Sequence, residues 1–147
     1  MKHTKDEVSR RLEQLKQVIE DVMPVNKLLG MKIEKLEEGS AEVCVPFQDI
    51  FVGDFRRGLW HGGILASIAD STGGLVALSL AFEQDQVNTV DMRIDYLHGA
   101  AQGEAVYGVA ELIKSGKRII LADVKLFQKH QEDPVAVARC AYSILRK

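Results

Sequence analysis

The apolar residues of this chain follow two different spacings, and each spacing predicts a different kind of element. Residues 4–23 carry apolar side chains at helical spacing with charged residues of both signs between them, and Pro24 follows. This pattern predicts an amphipathic helix that ends at the proline. Over residues 31–47 apolar and polar residues alternate around Glu38-Gly39, which predicts two strands joined by a tight turn.

A long apolar segment at residues 62–82 follows a glycine-rich loop and predicts a helix. The chain after it alternates with the two-residue period of strands, over residues 87–98, 103–114, 118–129 and 134–145. The order of helix, two strands, long helix and four strands predicts an α+β fold whose antiparallel sheet covers the long helix. We assign residues 1–24 to an N-terminal amphipathic helix and residues 25–147 to a single domain.

Composition narrows the class of protein. With 147 residues, 46% of them hydrophobic and 27% charged, the chain has the make-up of one soluble domain. A formal net charge of -2 offers no basic surface for nucleic acid. The two cysteines have no metal-ligand spacing, and the polar residues and glycines of segment 64–82 argue against a membrane span. We expect a cytoplasmic protein without a bound metal and without nucleic-acid or membrane partners.

The long helix carries one acidic residue, Asp70, in an otherwise apolar stretch. At ~100° per residue its side chains divide into a large face and a small face that includes Asp70. The large face has Ile64, Ile68, Leu75, Leu78 and Phe82, and the small face has Ala66, Gly73, Ala77 and Ala81. Small residues allow a second subunit to approach this face closely, so Asp70 would point into the contact between the two subunits. A buried carboxylate is neutral, paired or used, and a purely structural role for Asp70 stays open.

The start of this helix has the properties of an anion site. His61-Gly62-Gly63 places backbone N–H groups at the positive end of the helix, which suits a carbonyl oxygen that becomes anionic during acyl transfer. Asp70 lies ~12 Å further along the axis, too far for both groups to reach one small substrate atom. If two copies pack antiparallel, Asp70 of one approaches Gly62 of the other. The spacing therefore predicts a composite site in an obligate dimer.

Several motifs occur in a fixed order along the chain. They are G-D-x-x-x-G-x-x-HGG-x-x-x-x-x-x-D over residues 53–70, TVDMRIDYL at 89–97, SGKRI at 115–119 and the final VAVARCAYSIL. Together they resemble the hotdog-fold thioesterase superfamily, specifically acyl-CoA thioesterases of the phenylacetic-acid-degradation (PaaI) type, over residues 28–146. The resemblance implies a curved antiparallel sheet around one long central α-helix, and dimers with a continuous sheet that commonly form tetramers. It also implies hydrolysis of an acyl-CoA thioester without a cofactor, with coenzyme A only as part of the substrate.

The resemblance further implies roles for individual residues. Asp70 would be the catalytic carboxylate, which either activates water or attacks the thioester. The Gly62 N–H would polarise the thioester carbonyl, the Thr89 hydroxyl would help to hold the water, and His61 would shape the site or only hydrogen-bond backbone. Asp54 stands where relatives often carry Asn; it either contributes to substrate binding or caps the loop, since an ionised Asp cannot donate a hydrogen bond.

The phosphates of coenzyme A require cations near the mouth of the pocket. The remaining candidates for substrate binding are Gly63, Arg56, Arg57, Arg93, Lys114, Lys117 and Arg118. Two other functions stay open: a hotdog hydratase or dehydratase acting on acyl-CoA or acyl carrier protein, and a non-catalytic acyl-CoA-binding protein. The Asp eight residues after the first Gly of HGG favours hydrolysis.

Overall fold

The computed structural model describes residues 2–129 and 131–147. The helical elements are α1 (Lys5–Gln17), a π-helical turn (Val18–Val22), α2 (Pro24–Leu29), a 3-10 turn (Asp49–Phe51) and α3 (Gly62–Ser79). The strands are β1 (Lys32–Glu37), β2 (Ser40–Val45), β3 (Val52–Asp54), β4 (Leu59–Trp60), β5 (Gln86–Tyr96), β6 (Val106–Ser115), β7 (Ile119–Phe127) and β8 (Ala136–Leu145).

Six of the strands form one antiparallel sheet in the order β1-β2-β6-β7-β8-β5. Its strands bury alternate side chains on one face, as β8 does with Ala136, Ala138, Cys140, Tyr142 and Ile144. Helix α3 packs against that face and contacts all six strands. The α+β fold with an antiparallel sheet around a central helix is therefore confirmed.

Three short elements, β3, β4 and α2, were not predicted. Strands β3 and β4 form a separate ribbon inside the segment that was expected to be only a glycine-rich loop, and Pro24 begins α2 instead of only ending the first helix. The first helix itself is close to the expected one, since α1 starts after a Thr4 capping box and continues into the π-helical turn.

Helix α3 meets the length and hydropathy of a membrane span, with 18 residues and a mean hydropathy of 1.2. Length and mean hydropathy alone do not distinguish the core helix of a folded domain from a membrane span. Half of these residues are buried inside the chain, because the sheet encloses the helix and its apolar side chains form the core. The helix ends at Ser79 and not at Phe82, since the Phe82 N–H donates to Asp85 in a following turn.

The two faces of α3 lie about one residue away from their expected positions. Gly73 and Ala77, expected to face a second subunit, are buried inside the chain. The less buried residues on the side of Asp70 are Gly63, Ala66, Ser67, Ser71, Gly74 and Leu78. This open face of α3 still consists mainly of small residues and still includes Asp70, so close approach of another surface remains sterically possible.

Candidate active site

Asp70 lies half-buried on the open face of α3, where two strands supply hydroxyl groups to it. The Thr89 hydroxyl of β5 donates to Asp70 Oδ1 at 2.9 Å. The Tyr142 hydroxyl of β8 lies 2.7 Å from the Asp70 carbonyl oxygen and 3.2 Å from Oδ1. Thr89 and Tyr142 are cross-strand partners, so adjacent positions in the sheet converge on one carboxylate oxygen.

The other carboxylate oxygen of Asp70 has no such partners. Among residues 2–129 and 131–147, Oδ2 accepts no hydrogen bond and no cation pairs with the carboxylate. Burial raises the pKa of the Tyr142 hydroxyl well above its usual range, so this group is protonated and can donate. Oδ2 is therefore the carboxylate oxygen that is left free to accept a hydrogen bond from a water molecule or substrate.

Sequence reasoning missed Tyr142. The alternation of the last strand places it on the inward face together with Cys140, but alternation alone does not show which helix residue a side chain meets. Cys140 is fully buried, and burial raises the pKa of its thiol, so it is not an activated nucleophile. Across the described part of the chain, no group of three His, Cys, Asp or Glu side chains could hold a metal ion.

At the N-terminus of α3, one backbone N–H is without an acceptor among the described residues. His61 is the N-cap, and its Nδ1 accepts the Gly63 N–H at 2.8 Å, while its carbonyl oxygen accepts from Ile64 and Leu65. Within the described residues the Gly62 N–H has no acceptor. The His61 side chain thus makes the backbone hydrogen bond that was one of its two expected roles. Gly63 was expected to bind substrate, but its N–H is already bound by His61.

A cavity of about 290 Å³ opens beside Gly62. Its lining includes Arg57, Trp60, Tyr96 and His98. The Tyr96 hydroxyl donates to the Gly62 carbonyl oxygen at 2.8 Å, which fixes the first peptide of the helix. The free N–H of Gly62 therefore belongs to a residue whose carbonyl is hydrogen-bonded to Tyr96 at the edge of a small cavity.

A β-bulge in β5 allows this one strand to contact both Asp70 and Gly62. Thr89 and Tyr96 are an odd number of residues apart and would face opposite sides of a regular strand. The bulge lies between Thr89 and Asp91 and leaves Val90 without a cross-strand partner. Because of this extra residue, Thr89 reaches Asp70 while Tyr96 reaches Gly62.

Asp54 organises the loop before α3. Its Oδ1 accepts the backbone N–H groups of Arg56 and Arg57, both at 3.1 Å, and its Oδ2 accepts from Arg57 Nε at 2.7 Å. The Arg57 side chain and these N–H groups hold the pKa of the Asp54 carboxyl below its usual range. These contacts correspond to the loop-capping alternative. Arg56 is exposed, with its guanidinium 5.9 Å from the Phe55 ring centroid.

The other candidate cations lie elsewhere on the chain. Arg93 points away from α3, pairs with Asp95 at 3.4 Å and is 82% exposed, so the chain does not bring it to the Gly62 cavity. Lys114, Lys117 and Arg118 are exposed at the β6–β7 hairpin. The Arg118 carbonyl accepts the Ile144 N–H, so this hairpin lies near the Tyr142 end of β8.

The chain is similar to known thioesterases in sequence and in fold. Residues 57–135 match the family described as Thioesterase superfamily. The acyl-CoA thioesterase YigI of Escherichia coli K12, described as medium/long-chain, is 29% identical over 129 residues, which cover 79% of this chain and 81% of YigI. A thioesterase family protein from Silicibacter pomeroyi has a TM-score of 0.81 at 26% identity, covering 95% of this chain and 99% of its own. The E. coli PaaI protein has a TM-score of 0.83 at 22% identity, covering 94% and 96%, a likeness of fold alone.

Proposed function

The chain belongs to the thioesterase superfamily and hydrolyses acyl-CoA thioesters to a carboxylic acid and CoA, and we propose that Asp70 and the Gly62 N–H carry out this reaction. The observation that carries the proposal is the free Oδ2 of Asp70 on the open face of α3, with both hydroxyl partners on Oδ1. A carboxylate oxygen without protein partners suits the activation of water.

The reaction proceeds by addition and elimination at the thioester carbon. A water molecule bound to Asp70 Oδ2 attacks this carbon and transfers a proton to the carboxylate. The carbonyl oxygen becomes an oxyanion that accepts the Gly62 N–H. The C–S bond then breaks, the sulfur takes the proton from Asp70, and free CoA leaves with the carboxylic acid. Direct attack of Oδ2 on the thioester is the alternative first step.

His61 and Thr89 support these two groups. His61 engages the Gly63 N–H and leaves that of Gly62 as the donor for substrate. Thr89 gives its only hydroxyl proton to Asp70, so it meets the attacking water through an oxygen lone pair. His61 thus shapes the donor end of the site.

The reaction centre is formed between two subunits. Gly62 and Asp70 of one helix are separated by ~12 Å of rise, so an antiparallel partner supplies the second group. Strand β5 is at an edge of the sheet, and within the described chain nothing pairs with its outer side. Two copies joining at β5 form a continuous sheet with the open faces of α3 together, and two such dimers form a tetramer.

Binding of coenzyme A involves the cationic side chains around this contact between subunits. Arg57 lines the Gly62 cavity and is held by Asp54, so it suits a phosphate group. Arg56, Lys114, Lys117 and Arg118 add positive charge on the loop and the hairpin. The enzyme acts in the cytoplasm, without a cofactor.

The experiment offers a panel of saturated and unsaturated acyl-CoAs to the wild-type enzyme and to Asp70→Asn, Asp70→Ala and the control Asp21→Asn, with detection of released thiol. We expect both Asp70 variants to lose at least a hundredfold in kcat and Asp21→Asn, an exposed residue of the π-helical turn, to keep wild-type activity. Full thioester cleavage in the Asp70 variants would exclude the proposed role of Asp70. Hydration of an enoyl-CoA without thiol release would indicate the hydratase class.

A further inference from the structure

We propose that Tyr142 is a positioning residue for Asp70, whose hydroxyl fixes the carboxylate so that Oδ2 faces the substrate. The inference rests on the catalytic role proposed for Asp70. The Tyr142 side chain is 2% exposed, and its hydroxyl is the group of β8 that reaches the carboxylate. It does not face the open side of α3, so it acts through Asp70 and not on the substrate.

The geometry of the hydroxyl restrains one torsion angle. Its oxygen lies 2.7 Å from the backbone carbonyl of Asp70 and 3.2 Å from Oδ1 of the same residue. Rotation about χ1 of Asp70 carries Oδ1 away from the carbonyl oxygen, so it separates the two acceptors that the hydroxyl spans. Thr89 holds Oδ1 from the neighbouring strand. Both restraints act on Oδ1, which leaves Oδ2 free in one orientation.

Gly73 provides the space for this hydroxyl. A Cβ at position 73 would lie 2.5 Å from the Tyr142 hydroxyl oxygen, a distance that non-bonded atoms do not tolerate. Gly weakens a helix interior relative to Ala. The helix therefore carries an unfavourable residue one turn after Asp70, at the position where the tyrosine hydroxyl enters.

The ring of Tyr142 also fills the core, so the test must remove only the hydroxyl. Tyr142→Phe retains the ring, and Tyr107→Phe on β6, outside this cluster, is the matched control. We expect Tyr142→Phe to lower kcat about tenfold with KM unchanged and the fold retained by circular dichroism. In an Asp70→Asn background the same substitution should cause no further loss, because it acts through the carboxylate.

Gly73→Ala provides a second route to the same state. It should lower kcat like Tyr142→Phe, and adding Tyr142→Phe to it should restore stability without lowering kcat further, because the Cβ then has room. Unchanged kcat in Tyr142→Phe, in an enzyme that Asp70→Asn inactivates, overturns the positioning role alone. A tenfold loss that persists in the Asp70→Asn background overturns it as well. Full activity of Asp70→Asn would instead contradict the proposed function.

Discussion

At the scale of single residues, Asp54 joins two tasks that one substitution can separate. Its Oδ1 caps the loop through two backbone N–H groups, and its Oδ2 holds Arg57. Asp54→Asn keeps an acceptor for the cap but removes the ion pair. We expect KM for acyl-CoA to rise a few-fold with little change in kcat, because the arginine is less well held. Steady-state kinetics at low and high salt measure this.

The second Asp54 variant and the pH dependence sharpen that prediction. Asp54→Ala removes both the cap and the ion pair and should raise KM further than Asp54→Asn does. Arg57 lowers the pKa of the Asp54 carboxyl, so the pair is complete at neutral pH and is lost only as pH falls through this lowered value. The Asp54-dependent difference in KM should therefore be the same at pH 7 and pH 6. Equal KM values in all three proteins would show that the pair does not assist binding.

Some residues of the site could be predicted from the sequence and others could not. Asp70 and Gly62 stood out because an acid inside an apolar helix and glycines at its start are rare in that setting. The engagement of the Gly63 N–H depends on the rotamer of His61, which no spacing encodes. The hydroxyl of Tyr142 reaches Asp70 across 72 positions, and only the register of two strands brings it there.

At the scale of elements, one side chain fastens the N-terminal helix to the end of the central helix. Arg11 of α1 donates to the Ala81 carbonyl at 2.6 Å, lies 3.6 Å from Glu38 and stacks 5.2 Å from the Phe82 ring centroid. We expect Arg11→Ala to lower the free energy of unfolding by about 1–2 kcal/mol, because a charge-assisted hydrogen bond is lost. Urea denaturation measures this, with the exposed Arg10→Ala as control. Equal loss in both variants would show that the contacts specific to Arg11 are not responsible, since alanine has a higher helix propensity than arginine.

The bulge at Val90 gives a second prediction at this scale. Deleting Val90 removes the extra residue, so Thr89 and Tyr96 become an even number of residues apart and both still face α3 in a regular strand. We therefore expect the deletion and Val90→Ala both to keep kcat close to the wild-type value. Thioesterase assays with circular dichroism check both proteins. A large loss of kcat in the folded deletion variant alone would show that the bulged backbone itself is needed to place Thr89 on Asp70.

The elements themselves were predictable where a period repeats several times. The long strands and α3 show their spacing over many residues, so their order was correct. The ribbon of β3 and β4 has three and two residues, too few for a period to be recognised. The bulge in β5 leaves the composition of the strand unchanged and alters only which side each residue faces, so alternation read in one register misplaces half of the strand.

At the scale of the whole molecule, a site shared between subunits can be tested by complementation. Gly62→Pro removes the proposed donor, and proline is tolerated at the first helical position. Asp70→Asn removes the carboxylate. Each variant alone should be inactive, but a mixed dimer has one site that carries both changes and one that carries neither. After co-refolding of equal amounts we expect about a quarter of wild-type activity.

The control for this mixture is co-refolding each variant with itself, which should restore nothing. Absence of recovery in the mixture, with mixed dimers demonstrated by differential tagging, would place both groups of each site in one chain. Sedimentation at micromolar concentration gives an independent check, since a monomeric active enzyme is incompatible with a shared site.

The two edges of the sheet also determine how many chains can join. At the β1 edge, Glu20 Oε1 takes the Ile33 N–H at 2.7 Å, α1 lies alongside, and a bulge interrupts the strand. The β5 edge has no such cover within the described residues. Each chain can therefore add one further strand, at β5 and not at β1. Once two β5 edges have paired, no open edge is left for a third chain, so the protein can use an open edge for assembly without forming a fibre.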